Sequence, residues 1–232
     1  MRTRFLSITG IILFVTFSLH SMIINNFSSN KSKAIHTETG KFNEDYLFIG
    51  NELNFSGEAE DMVFLGKRLN FKGKTKLGLI ALCRDLIYSG SSDNGIIAAA
   101  MDITTDGNIK GNNYVACRNF FMSENSQING NLFIGCARLS IGGPLNGNLY
   151  AGAAELIINN EIKGDVSFKG RRIIFGEKGK INGNLSYSTR ERISKKDPKG
   201  VGIPNLRSSG QVNLTASPYA ITIQTNDITS GS

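Results

Sequence analysis

The sequence predicts an all-β chain wound as one β-solenoid of about 8–9 short rungs. Three observations carry this. One turn motif recurs five times: Ile109-Lys-Gly-Asn112, Ile128-Asn-Gly-Asn131, Leu145-Asn-Gly-Asn148, Ile162-Lys-Gly-Asp165 and Ile181-Asn-Gly-Asn184. Its glycines fall at 111, 130, 147, 164 and 183, so the spacings are 19, 17, 17 and 19. Composition agrees, because 26 Gly with only 4 Pro and no Trp fits a fold of many tight turns. Between the turns lie short strands with period-2 alternation, such as Leu139-Ser-Ile141 and Leu156-Ile-Ile158.

The chain begins with Arg2 and Arg4, and then runs from Phe5 to Ile24 without a charged residue. Twenty residues of helix would span roughly 30 Å, about one bilayer core. Residues 1–24 are therefore expected to be a signal peptide or an N-terminal membrane anchor, with Phe5 and Ile24 bounding the membrane segment. Residues 25–44 read as a linker.

Residues 45–188 form the expected solenoid domain. Upstream of Gly111 the turn motif decays, but Asn94-Gly95 keeps its phase. A second set of turn residues (Gly57, Gly73, Gly90, Gly107, Gly143, Asn160, Gly176) marks another corner. A third set is small: Gly50, Gly66, Ala100, Ala116, Gly135, Gly152 and Gly170. Three corners per repeat imply a triangular section with three short faces. Glycine and asparagine are expected there because a sharp corner demands left-handed backbone. Stacking then turns inward positions into ladders: Ile109, Ile128, Leu145, Ile162 and Ile181 in one, Leu132, Leu149, Val166 and Leu185 in another.

Cys83, Cys117 and Cys136 each lie three residues before an inward Leu or Phe, in the column that also holds Ala153. They read as small core residues with free thiols. An odd count argues against a disulfide framework, and their spacings of 34 and 19 fit no zinc module. Beyond Arg190 the repeat is lost, and residues 189–232 read as a polar, flexible tail. Within it, Val212–Ile223 is β-prone enough to dock on the solenoid instead.

Charge bounds the partners. Of the net +7, the excess lies in the flanks: residues 1–44 carry five basic and two acidic side chains, and residues 189–232 six and three. The body, with fifteen and fourteen, offers no basic stripe for a phosphate backbone, so nucleic acid is not an expected partner. No P-loop or dinucleotide fingerprint occurs, so neither nucleotide nor cofactor is expected. The two histidines, His20 and His36, lie before the body, which removes the base that hexapeptide-repeat acyltransferases use. Asp102 and Asp106 read as a solvated strand edge and a turn cap. No catalytic residue and no metal ligand is assigned.

The [Ile/Leu]-[Asn/Lys]-Gly-[Asn/Asp]-[Leu/Val] turns from Ile128 to Tyr187, with Tyr150-Ala-Gly-Ala153 between them, resemble the bactofilin group of polymer-forming cytoskeletal proteins. The resemblance implies a right-handed β-helix that polymerises end to end without nucleotide. It also implies a scaffold for envelope-synthesis proteins at the bacterial membrane. The long apolar N-terminus is more similar to exported, membrane-associated variants, implying a periplasmic or extracytoplasmic location, with the cytoplasmic face of the inner membrane as the alternative.

Solenoid geometry gives the assembly expectation. Interior rungs have both edges paired, and the end rungs present one open edge each. Leu47 and Phe48 at the first rung, and Leu185 and Tyr187 at the last, are the expected polymerisation ends. The alternative is a monomeric exported module that binds an envelope polysaccharide or protein through outward Phe133 and Tyr150.

Overall fold

The computed structural model describes residues 22–26, 35–189, 194–195 and 209–213, with side chains over 35–189. No helix occurs among them. Parallel strands stack as a β-solenoid of about nine turns. The first turns comprise β1 (Met22–Asn26), β2 (Ile35–Glu38), β3 (Asp45–Phe55), β4 (Glu58–Phe71), β5 (Lys74–Leu82), β6 (Asp85–Tyr88) and β7 (Ser91–Ser92). The middle turns comprise β8 (Ile96–Thr105), β9 (Asn108–Lys110), β10 (Asn113–Met122), β11 (Gln127–Asn129) and β12 (Leu132–Ile141). The last comprise β13 (Leu149–Ile158), β14 (Glu161–Ile162), β15 (Val166–Phe175), β16 (Lys180–Ile181), β17 (Asn184–Thr189), β18 (Ser194–Lys195) and β19 (Ser209–Asn213).

Each full turn has three faces, but the strands are not three residues long throughout. The first two faces join into one strand of about ten residues, as in β10, β12, β13 and β15. The joint is the small-residue corner, where pairing skips one residue: Cys136 pairs with Ala153, then Arg138 with Glu155. The third face is a short strand or a single bridge, with Ile128 to Leu145 and Leu145 to Ile162 completing its ladder.

The expected ladders are present. Ile109, Ile128, Leu145 and Ile162 are fully buried and Ile181 nearly so, and Leu132, Leu149, Val166 and Leu185 line the first face. The second face adds an unbroken column from Leu53, Leu69 and Leu86 through Ile103 and Phe120 to Leu139, Leu156 and Ile173. Upstream of Leu132 the ladder meets a buried Asn113. Its Oδ1 accepts from the Ile96 amide at 3.2 Å, and its Nδ2 donates to the Gly111 carbonyl at 3.0 Å. A buried amide is tolerated there because it bonds along the stack.

The glycine corners have a different cause from the one expected. Among the described glycines, positive φ occurs at Gly95 (86°) and Gly111 (78°) only. The later copies need glycine because the turns stack closely: a Cβ at Gly130 would strike the carbonyl oxygen of Gly111, and one at Gly147 that of Gly130. The asparagines flanking these glycines form ladders. Asn146 Nδ2 donates to Asn129 Oδ1 at 2.6 Å, and Asn129 Nδ2 to Asn108 Oδ1 at 3.0 Å.

Two boundaries differ from expectation. The solenoid starts before residue 45: β1 pairs with Asp45–Ile49 and β2 with Glu52–Phe55, so the predicted linker 25–44 contributes to a rung. It also continues past 188. β18 pairs with Ile174 and Phe175, and β19 lies antiparallel against β17. The third small-residue set also divides into two columns. Gly50 and Gly66 lead into that of the cysteines, Ala100, Ala153 and Gly170, while Ala116, Gly135 and Gly152 pair with one another one position earlier and point outward.

Candidate functional site: the ends and outer faces of the solenoid

The expected polymerisation ends are not outermost. Leu47 and Phe48 are flanked by Ile24 and Asn25 of β1. Ile24, expected at the end of a membrane segment, is thus in a strand, while Phe5 lies outside the described residues. Among the described residues no helix is long and apolar enough to cross a membrane. His36 joins the first rung rather than a linker: its ring stacks on Phe48 at 5.5 Å and its Nε2 is 3.5 Å from Glu38 Oε2.

At the other end, Leu185 pairs with Val212 and Tyr187 with Gly210, in antiparallel register. The edge of β17 is therefore occupied. Leu185 and Tyr187 are inward residues, 2% and 5% exposed. The sequence signal for this cap was the β-prone stretch beginning at Val212, offset from the strand that docks.

The cysteines form the expected column, and all three are free. Burial, helped by Asp85, pushes the Cys83 thiol up to about 11. Cys117 and Cys136 face one another across adjacent rungs. Their hydrogen bond, together with burial, raises Cys117 and keeps it protonated, while the same bond lowers Cys136. Among the described residues no group of three or more His, Cys, Asp or Glu side chains is placed to hold a metal ion. Asp102 accepts from Asn119 Nδ2 at 2.6 Å, and Asp106 from the Ser123 hydroxyl.

The outer faces carry most of the exposed chemistry. On the second face charges alternate at the two ends of one outward column, whereas Asp85 and Asp102 are like-charged neighbours in its middle. Glu155, buried, is held by Arg138 Nε at 3.3 Å and Arg172 at 3.0 Å, and Arg68 bridges Glu52 at 3.6 Å and Asp85 at 3.3 Å. These columns were readable from the 17-residue spacing of Arg138, Glu155 and Arg172, but only once the register was known.

The first face is apolar outside as well as inside. Leu47, Val63, Ile80 and Ile97 pair in sequence as one outward column, which continues as Tyr114, Phe133 and Tyr150. The rings stack nearly parallel, 5.0 Å apart at 10° and 4.8 Å at 6°. Stacking occupies the ring faces with one another, so Phe133 presents an edge to solvent rather than a platform on which a sugar could lie. Beyond Tyr150 the column turns polar at Ser167 and Ser186, beside Lys169.

No protein-family model, curated protein or solved structure matches the chain.

Proposed function

We propose that this chain is a structural, self-assembling β-solenoid scaffold at the bacterial membrane or cell envelope, acting without nucleotide or cofactor. The observation that carries this reading is the form of the ends. Among the described residues the outermost elements are strands, β1 with β2 at one end and β18 with β19 at the other, and strand edges of this kind recruit further strands. The turn motif's similarity to bactofilins favours the same reading and suggests an envelope-synthesis protein as the scaffolded partner. The uncharged stretch 5–21 supports membrane association on the exported side.

The antiparallel β19 makes one end self-limiting. A second copy cannot continue the parallel stack on β17 while β19 holds that edge. A chain ending at Ser208 should therefore assemble at lower concentration, and into longer polymers, than the full chain. Negative-stain microscopy and size-exclusion chromatography check this. Two chains that both stay monomeric at high concentration would end the scaffold reading and favour a monomeric envelope-binding module.

A further inference from the structure

The outward apolar column of the first face does not stand alone. One alternation further along the same strands lies a second uncharged column: Ile49, Leu65, Leu82, Ala99, Ala116 and Gly135. Ile80 and Ile49 are each 40% exposed, Leu82 47% and Ile97 51%, values that leave these side chains open to solvent. Seven rungs at about 4.8 Å make the stripe roughly 29 Å long, and two outward residues per strand make it about 7 Å wide. With side-chain reach this is a few hundred Å², the range in which exposed apolar patches mark docking surfaces.

Two observations name the occupant. First, the next outward position forms a corner row of Asn51, Lys67, Arg84, Met101, Arg118 and Ala137, all exposed and three of them cationic, with Arg84 Nε 3.9 Å from Asp85 Oδ1. An apolar face bordered by cations is the composition of a surface that lies in an anionic lipid interface. Second, the face begins at β1, the first described strand. The uncharged sequence 5–21 immediately precedes β1 in the chain, and Ile24 of β1 pairs with Leu47 at the head of the apolar column. Apolarity then persists through Tyr150 and ends at Ser167 and Lys169, farthest from β1. The far border carries Asp45 and Asp61 in the first two rungs and uncharged Gly78, Gly95 and Asn112 beyond them, so cations are confined to the other edge of the face.

We propose that this face lies flat against an anionic lipid bilayer, with Ile80, Leu82 and Ile97 at the acyl boundary and Lys67, Arg84 and Arg118 against the headgroups. The inference goes beyond the scaffold reading and does not depend on polymerisation.

The chain has no tryptophan, so single substitutions give site-specific probes in the full chain. Ile97→Trp reports on the face, and Lys163→Trp, exposed on the third face, is the control. With phosphatidylglycerol vesicles the Trp at 97 should shift to the blue and be quenched several-fold more by brominated lipid than the Trp at 163. Arg84→Gln should weaken binding to anionic vesicles about fivefold, equivalent to the ~1 kcal/mol of one surface cation, and leave weak binding to phosphatidylcholine unchanged. Far-UV circular dichroism checks that each variant keeps the solenoid. Two results would overturn the proposal. In one, the chain sediments with vesicles while the Trp at 97 stays as water-exposed as that at 163, meaning tethering by the N-terminal segment alone. In the other, the Trp at 97 is already shielded in lipid-free buffer, meaning that a second copy or the chain's own apolar segment covers the face. Filament formation is scored separately by microscopy, so failure here leaves the assembly result intact, and the reverse.

Discussion

The early and late turns fill the same lumen in opposite ways. Early turns place aromatics at the end of the second face, with Phe55 on Phe71 at 5.6 Å and Phe71 on Tyr88 at 5.0 Å. The third face opposite them is built of small residues: Ala59, Thr75 and Ser92, all buried. The turns from Met122 to Ile162 reverse the assignment, before a ring returns at Phe175 beside Ile181 in the last one. Met122, Ile141 and Ile158 take the second-face position, and Ile128, Leu145 and Ile162 fill the third. Interiors are packed to near-constant density, so a bulky ring on one wall requires a small side chain on the other. The lesson is that the solenoid conserves cross-sectional volume rather than residue type at each ladder position.

This explains what the sequence made legible. The late turns repeat visibly because an Ile or Leu before each Asn-Gly pair must fill the third face alone. The early turns hide their third face behind Thr75 and Ser92, which read as surface residues until Phe71 and Tyr88 are seen to fill the space. The extra residue near Leu77, where the β4–β5 register shifts between Ala59 and Asp61, further blurs the period. The ends were harder to read. Met22–Asn26 resembles the tail of a membrane segment, and Ser209–Asn213 is too short and polar to announce an antiparallel cap. Which edge a strand occupies is set by partners far along the chain, not by its own residues.

The comparison breaks most sharply at Ile162. It is fully buried in a late turn, stacked between Leu145 and Ile181. Ile162→Asp should cost on the order of 5 kcal/mol and abolish cooperative melting. Soluble protein with an unchanged melting temperature would mean the late third face is not a filled wall.

Ser92→Ile tests the other half of the volume argument. Ile suits this wall in late turns, but here it must compete with Tyr88, and it loses the bond from Ser92 Oγ to the Gly95 carbonyl at 2.8 Å. A loss of about 1–3 kcal/mol in urea unfolding is expected from overpacking. A gain in stability would show that early and late turns do not share one lumen volume.

A smaller effect, of opposite sign, belongs to Tyr88. Its ring is fully buried, and its hydroxyl has no hydrogen-bond partner among the described residues. Burial also raises its ionisation well above the ordinary phenol range. Tyr88→Phe keeps the stack on Phe71 and removes the unpaired oxygen, so stability should rise by about 1 kcal/mol. A decrease would place a bound water or other partner at that oxygen.

The smallest expected effect sits at Asp61, on the border of the early turns, and it depends on pH. Burial pushes its carboxyl up to about 6 from an ordinary 3.8, and the neighbouring Asp45 and Glu60 add to the rise. The folded chain therefore holds this proton more tightly than the unfolded chain does. The stability this gives is complete below pH 3.8, is lost as pH climbs to about 6, and stays lost above. Asp61→Asn carries no charge at any pH and escapes that loss. The variant should melt above the parent at pH 7, and the gap should close as pH falls below 4. Asp61 is only part-buried, so the difference should be smaller than for Tyr88→Phe. The late turns carry Asp165 and Asn184 at this border, with the Asn184 backbone amide donating to Asp165 Oδ1 at 2.7 Å. A gap between Asp61→Asn and the parent that stays the same from pH 4 to pH 7 would mean that folding does not desolvate this carboxyl, and that the early border is set by packing alone.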